Sequence, residues 1–267
     1  MAKTALNQIK SGENDLSISN SALDDSSCEL YKRLHESPEL NSARSALVSS
    51  AGGIRAALTI YNCCLEIYNR QTSHDESNKC VLTQLCSRTP KVEDEKRLLM
   101  GQIFAFIRIF LEQDPDSLFL RNKNGTNALE FAGITNKPQV SAYLALLYHF
   151  MGRDVNEPGA HNHTVLHIMA RKGDDCAEAL QQLLQLRVPG LRRRLLRIDV
   201  VNQGRKTPLD VAMACADLFS TGKSRTIYTN VIELFHKAIQ EEAEELETAG
   251  SQMEPLPAGG GMSFRNF

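Results

Sequence analysis

The sequence lacks any long run of apolar residues. Residues 1–20 are polar and contain no apolar stretch of the length that a secretory signal needs. The most apolar stretch, residues 103–111, is too short to span a bilayer and contains Arg108. These absences predict a soluble, cytoplasmic chain without a transmembrane segment or a cleaved export signal.

An excess of charge of one sign is also missing. The 30 Lys and Arg residues and the 32 Asp and Glu residues leave a formal net charge of −2. Such a balance gives no overall attraction to nucleic acid or to a membrane, so nucleic acid is not expected as a partner and a charged partner must meet a local patch. At 267 residues, of which 42% are hydrophobic, the chain is long enough to bury a sizeable core.

Motifs of metal binding, nucleotide binding and catalysis are absent. The seven Cys form no Cys-x-x-Cys pair, which predicts reduced, buried thiols and no disulfide framework. No P-loop, GxGxxG, HExxH, GxSxG or kinase motif occurs. Cys63 and Cys64 with a distant His are a conceivable thiol nucleophile, but both lie in an amphipathic helical pattern, which favours core packing. We therefore expect no cofactor, and no motif indicates an enzyme.

Helical periodicity is what the sequence does contain. Apolar residues recur at steps of three and four between Gly, Pro and Asp residues. In the N-terminal part this predicts helices over residues 41–51, 54–70, 79–87 and 92–113. The apolar stripe expected on the second consists of Ile54, Leu58, Tyr61, Leu65 and Tyr68. The apolar face expected on the fourth consists of Leu99, Ile103, Phe106 and Phe110, and Leu98 and Ile109 are expected to widen it.

Composition divides the chain into four parts. Residues 1–25 are rich in Ser, Asn and Asp and predict a disordered lead-in. Residues 26–97 form an N-terminal helical region, and residues 98–248 a second helical array. Residues 249–267 contain Pro and three consecutive Gly, which predicts a flexible tail.

One sequence frame occurs three times in the second array. The copy His163-Thr-Val-Leu-His-Ile-Met-Ala-Arg-Lys-Gly173 resembles the first half of an ankyrin repeat, whose signature Thr-Pro-Leu-His-x-Ala it matches at Thr164, Leu166 and His167. Gly125-Thr-Asn-Ala-Leu-Glu-Phe-Ala132 and Gly204-Arg-Lys-Thr-Pro-Leu-Asp-Val-Ala212 repeat the frame. The resemblance implies an all-α fold, namely an ankyrin-repeat helical solenoid of about three degenerate repeats. The 92–113 helix would form a capping half-repeat, with the N-terminal helical region packed on the array.

An ankyrin array implies binding more than chemistry. Leu129, Leu166 and Leu209 would fill equivalent core places, although their separations of 37 and 43 residues exceed the roughly 33 of a standard repeat. Turn tips and first helices of such arrays are not needed for stacking and usually contact the partner. We therefore expect a monomer that binds a protein partner through this surface. The residues expected on it are Lys123, Asn124, Glu130, Asn162, His163, Arg171, Lys172, Arg205, Lys206 and Asp210.

Three histidines, His161, His163 and His167, lie close in sequence. They raise the question of a metal site, but no acidic residues that would orient ligand imidazoles accompany them. The ankyrin resemblance implies instead that His167 bridges neighbouring turns by hydrogen bonds. We predict no metal.

An arginine-rich insertion occupies residues 187–197. Its leucines make it amphipathic, which suits an acidic protein surface or anionic phosphate headgroups. The alternative is a solvated loop that compensates the acidic C-terminal helix. Under the first interpretation Arg192, Arg193 and Arg194 contact the partner.

The C-terminus has a glutamate-dense block followed by small and apolar residues. The block is Glu241, Glu242, Glu244, Glu245 and Glu247, and the chain ends Gly259-Gly-Gly-Met-Ser-Phe-Arg-Asn-Phe267. Together with degenerate ankyrin repeats, this resembles Legionella-type Dot/Icm type IV secretion effectors, which implies secretion into the host cell cytosol and binding of a host protein. Two alternatives stay open: an effector enzyme with its active site in the N-terminal helical region and the repeats as substrate adaptor, and a non-secreted intracellular scaffold.

Overall fold

The protein is all-helical over the residues that its computed structural model describes, 37–71, 81–191, 193–218 and 228–251, where no strand occurs. The predicted lead-in over residues 1–25 and nearly all of the predicted tail lie outside these ranges. The elements below belong to the compact unit that begins at Pro38. They are α1 (Pro38–Ser50), α2 (Ile54–Gln71), α3 (Val81–Ser87), α4 (Glu93–Gln113), α5 (Ala128–Ile134), α6 (Pro138–Phe150), α7 (Val165–Lys172), α8 (Ala177–Gln185), α9 (Pro208–Leu218) and α10 (Thr229–Ser251).

Proline and glycine set the ends of α1. Pro38 is its first residue, where the missing N–H costs no hydrogen bond. The helix ends before Gly52 and Gly53, whose φ angles of 90° and 94° belong to the left-handed region. The Gly53 amide donates to the Val48 carbonyl at 3.1 Å and so satisfies a free carbonyl of the last turn.

The apolar face of α2 differs from the predicted stripe. Ala57, Tyr61 and Cys64 are buried, whereas Ile54 is exposed. The reason is packing against α4. The Tyr61 hydroxyl also donates to Glu112 Oε2 of α4 at 2.5 Å.

The face predicted for α4 is confirmed at its centre. Leu99, Ile103, Phe106 and Phe110 are all buried, as is Ile109. The expectation for Leu98 is wrong, because its side chain is 50% exposed.

The C-terminal helices are arranged in two rows that lie side by side. In the first row, α5 packs on α7 and α7 on α9; in the second row, α6 packs on α8 and α8 on α10. Leu129 and Leu166 are buried at matching places of α5 and α7. Leu209, at the matching place of α9, is half-buried because α9 is the last helix of its row in the described chain.

The helix beside α6 is α1, which corrects the predicted arrangement of the cap. We expected α4 to lie there as the second helix of a half-repeat. In the structure α3 packs beside α5 and α1 packs beside α6, while the main contacts of α4 are with α1, α2 and α3. The N-terminal helix therefore continues the second row.

Candidate interaction surface at the turns

The turn before α5 is built around one asparagine side chain. The Asn122 amide donates to the Thr126 carbonyl at 2.9 Å. Asn122 Oδ1 accepts from the amides of Asn124 and Thr126 at 2.9 and 3.0 Å. This folds residues 122–126 into a tight loop, and the side chains of Lys123 and Asn124 are exposed.

The turn before α9 has the same construction 80 residues later. The Asn202 amide donates to the Lys206 carbonyl at 3.0 Å. Asn202 Oδ1 accepts from the amides of Gly204 and Lys206 at 2.9 and 3.1 Å. The third residue after each asparagine has a positive φ, 72° at Gly125 and 56° at Arg205.

The middle turn, before α7, lacks the asparagine but keeps the loop. The Gly159 amide donates to the His163 carbonyl at 2.8 Å. Asn162 lies 37 residues after Gly125 and again has a positive φ, of 56°. The three turns therefore share the closing backbone hydrogen bond and one left-handed position, which Gly, Asn and Arg occupy. The middle turn differs in having a second left-handed residue, His161, with a φ of 58°.

Each turn leads into a capped helix. At the three cap positions the backbone N–H donates to the side chain three residues further on: Asn127 to Glu130 Oε2 at 2.9 Å, Thr164 to His167 Nδ1 at 3.2 Å and Thr207 to Asp210 Oδ2 at 2.9 Å. Such reciprocal capping satisfies amides that a helix start leaves unpaired. Glu130, His167 and Asp210 thus accept the same capping hydrogen bond, although their side chains differ.

His167 also joins two turns. Its Nε2 lies 2.9 Å from the Lys206 carbonyl, so the hydrogen bond expected for this residue is present. A carbonyl only accepts and the Thr164 amide only donates, which requires the neutral tautomer with the proton on Nε2. Burial lowers the pKa of His167 and favours this neutral form.

His163 stacks on His167, with ring centroids 5.6 Å apart. Burial lowers the pKa of His163, and the neighbouring His167, Arg171 and His161 lower it further. Within the described ranges no group of three His, Cys, Asp or Glu side chains is placed to hold a metal.

A partly buried ion pair lies beneath the first two turns. Arg121 Nη1 is 2.8 Å from Glu130 Oε1 and 2.7 Å from the Gly125 carbonyl. Its Nη2 reaches the Glu157 carbonyl at 3.4 Å. The expectation that Glu130 is exposed to a partner is therefore wrong, because the side chain serves as cap and counter-ion inside the fold. Arg121 was not among the predicted residues; its position next to an Asn-x-x-Gly turn was the available signal.

Most of the other residues predicted for this surface are exposed. Lys172 forms an exposed ion pair with Asp175 at 3.1 Å, and His163 is half-buried. The exposed members are Lys123, Asn124, Asn162, Arg171, Lys172, Arg205, Lys206 and Asp210. We call these eight residues the turn surface.

The arginine-rich insertion is bound to α10. Arg194 is 4% exposed and its guanidinium donates to the Leu184 carbonyl, to the Ala238 carbonyl at 3.1 Å and to Glu241 Oε2 at 2.6 Å. Arg187 donates to Glu245 Oε1 at 3.1 Å. The expectation that Arg194 faces a partner is wrong, because its charge is satisfied inside the fold.

Two further arginines of the insertion pair with Asp199. Arg197 Nε and Arg193 Nη1 lie 3.2 and 3.7 Å from its carboxylate. The hydrogen bond from Arg197 holds the pKa of Asp199 below its usual value. Arg192 lies outside the described residues. The ion pairs of Arg187 and Arg194 with Glu245 and Glu241 agree with the alternative interpretation in that the insertion compensates the acidic C-terminal helix. Arg194, however, is buried rather than solvated.

Comparison of the chain with protein-family models, curated proteins and solved structures gave no match. In the described part of the chain, no helix has the length and apolar character needed to cross a bilayer.

Proposed function

We propose that this protein is a non-enzymatic interaction module of the ankyrin type. The observation that supports this is the threefold recurrence of one unit, a five-residue turn followed by a reciprocally capped helix. Two rows of packed helices hold the turns, and the hydrogen bond from His167 to the next turn links neighbouring units. Polar side chains that the fold does not need are thereby left exposed at the turns.

The partner is a protein that meets the turn surface. Five of the eight residues of this surface are basic, namely Lys123, Arg171, Lys172, Arg205 and Lys206, and only Asp210 is acidic. Asp210 is committed to the α9 cap through Thr207. An acidic patch on the partner would complement this charge.

A charge-reversal experiment tests this surface. Lys123→Glu, Arg205→Glu and Lys206→Glu are combined in one variant. The control combines Arg55→Glu, Lys91→Glu and Arg97→Glu, which are also exposed and lie in the N-terminal part of the described chain. Immobilised chains capture proteins from host-cell lysate, and the affinity of the purified captured protein is then measured. Binding should be lost in the first variant alone. Equal retention by both variants would contradict the proposal.

We further propose that the chain acts as an effector delivered by a type IV system into a host cytosol, with the C-terminal residues as the signal. Glu241 and Glu245 of the acidic block are bound to Arg194 and Arg187, so the test keeps this block in place and removes only the residues after α10. A translocation reporter with residues 252–267 removed should lose delivery. Undiminished delivery would argue against this tail as the signal and leave the scaffold alternative.

Cys63 is exposed, which corrects the expectation that it packs in the core, whereas Cys64 and Cys86 of the N-terminal helices are buried and are poor nucleophiles for the effector-enzyme alternative. Burial raises the pKa of Cys64 to about 11 and that of Cys86 to about 12. A thiol acts as a nucleophile in its thiolate form, which these values disfavour at neutral pH.

A further inference from the structure

The last layer of helices, α9 and α10, presents a face that no other described residue covers. Gly133 of α5 is pressed against the next layer, since a Cβ there would lie 2.8 Å from Met169 Sδ. Its counterpart in α7, 37 residues later, is Ala170, which is buried. The counterpart in α9, 43 residues after that, is Met213, which is 46% exposed. This position is therefore covered at Gly133 and Ala170 but exposed at Met213, in the last described layer.

A second position behaves in the same way. The Arg121 side chain reaches across to the Glu157 carbonyl of the next turn. Its counterpart 80 residues later is Val201, which is 51% exposed. Val201 thus places an exposed apolar side chain at the position from which Arg121, in the first layer, contacts the second layer.

The second row of helices gives the same result. Ala179 of α8 and Val231 of α10 hold equivalent places, because the amide of each donates to a side-chain oxygen of the preceding layer at 2.9 Å. One residue further on, Leu180 is fully buried, whereas Ile232 is only half-buried. Terminal layers of helical arrays normally present a polar outer side to water. This terminal layer does not.

The uncovered side of α10 carries a helical stripe. Ile239 and Leu246 are 43% and 56% exposed. The stripe has steps of four, three, four and three residues and consists of Ile232, His236, Ile239, Ala243 and Leu246. Such spacing places side chains in line along one side of a helix, which is the geometry that packs against a second helix. We call Val201, Met213, Ile239 and Leu246 the end face.

The charge beside the stripe indicates the chemistry of the occupant. At 100° per residue, the exposed residues Glu233, Gln240, Glu244 and Glu247 follow one side of the stripe. The in-chain arginines bind Glu241 and Glu245, which lie on the opposite side. Residues 238–251 contain no Lys or Arg. Two copies packed through this face would bring glutamates together, which is unfavourable.

We propose that the end face binds a helix of a partner protein whose apolar stripe is flanked by Lys and Arg side chains. The apolar residues bury against Met213, Ile239 and Leu246, and the basic flank meets Glu233 and Glu244. The end face is distinct from the turn surface, and this proposal does not depend on the function proposed for the turn surface.

A synthetic helix provides the test with the full chain. The probe is a peptide of about three heptads with Leu in the stripe and Lys on both flanks, and its match carries Glu in place of Lys. Fluorescence anisotropy at low salt should show that the Lys peptide binds at least about tenfold more tightly than the Glu peptide. Ile239→Arg should remove this binding, whereas Leu98→Arg, at an equally exposed apolar residue of α4, should not. Glu233→Lys with Glu244→Lys should reverse the preference between the two peptides.

Three results would overturn the proposal. The first is binding of both peptides alike, or binding that survives Ile239→Arg while circular dichroism shows the fold intact. The second is a dimer of the free chain in sedimentation that Ile239→Arg dissociates, because a second copy would then be the occupant. The third is binding only after removal of residues 252–267, because the chain's own tail would then cover the face.

Discussion

The imidazole of His167 lies between two turns, accepting from the Thr164 amide and donating to the Lys206 carbonyl. One side chain therefore caps its own helix and fastens the next unit. His167→Gln should lower the free energy of unfolding by about 2 kcal/mol, since a buried donor and acceptor lose their partners. Urea denaturation at pH 7.5 measures this, with His149→Gln, at a half-buried histidine of α6, as the control.

Acid should weaken the same link. The pKa of His167 and that of His163 are lowered from 6.5 in the folded chain, so the unfolded chain binds more protons as pH falls. The stability from these groups is complete above pH 6.5 and is lost on acidification below it. Urea denaturation midpoints measure the loss of stability between pH 7 and pH 5. This loss should be smaller in His167→Gln than in the native chain. An identical loss in both chains would contradict this assignment.

Arg205 occupies a left-handed position that Gly125 fills in the first turn. Replacing it with glycine should raise the free energy of unfolding by about 0.5 to 1 kcal/mol, because the strain of a side chain at positive φ exceeds the added freedom of the unfolded chain. Arg205→Ala keeps the strain and should give no gain. Thermal unfolding of both variants distinguishes backbone strain from loss of charge.

The Arg121–Glu130 pair should matter far more than an exposed pair of the same length. Glu130→Ala leaves Arg121 without its counter-ion and removes a cap, which should cost about 3 kcal/mol. The exposed pair between Arg153 and Asp116, also 2.8 Å long, provides the comparison. Asp116→Ala should change stability by less than about 0.5 kcal/mol. Similar losses in the two variants would contradict this ranking.

The two core leucines should respond differently to truncation. Leu166 is fully buried, so Leu166→Ala should cost about 2–5 kcal/mol. Leu209 was expected to behave alike, but it is half-buried at the open end of the row. Leu209→Ala should cost about 1 kcal/mol. Chemical denaturation of both variants measures the difference, and equal losses would indicate that the last layer is covered in solution.

Lys137, in the turn between α5 and α6, is hydrogen-bonded to the last turn of α3. Its buried Nζ donates to the Cys86 carbonyl of α3 at 2.7 Å, and burial lowers the Lys137 pKa from 10.5 to about 8. Between pH 8 and pH 10.5, Lys137 is protonated in the unfolded chain but mostly neutral in the folded chain. The free energy of unfolding therefore rises with pH across this window. Relative to Lys137→Met, the native chain should gain stability across that window. A constant difference would contradict the lowered pKa.

Local patterns along the chain were enough to predict the helices and the turns. Pro, Gly and Asn act on their own few residues, and apolar periods of three and four act within one helix. The bounds of α2, α3 and α4 and the burial of Leu129 and Leu166 therefore follow from short stretches. The same holds for the cap at Thr164, where both partners lie within one helical turn.

The tertiary structure alone decided which charged side chains face water. Glu130 and Arg194 looked exposed because their partners, Arg121 and Glu241, come from other segments, and a pairing across 47 residues leaves no periodic trace. It also decided that α1 lies beside α6 and that no described residue covers the end face. These outcomes depend on how whole helices compete for the same apolar surface, which no single stretch of the chain contains.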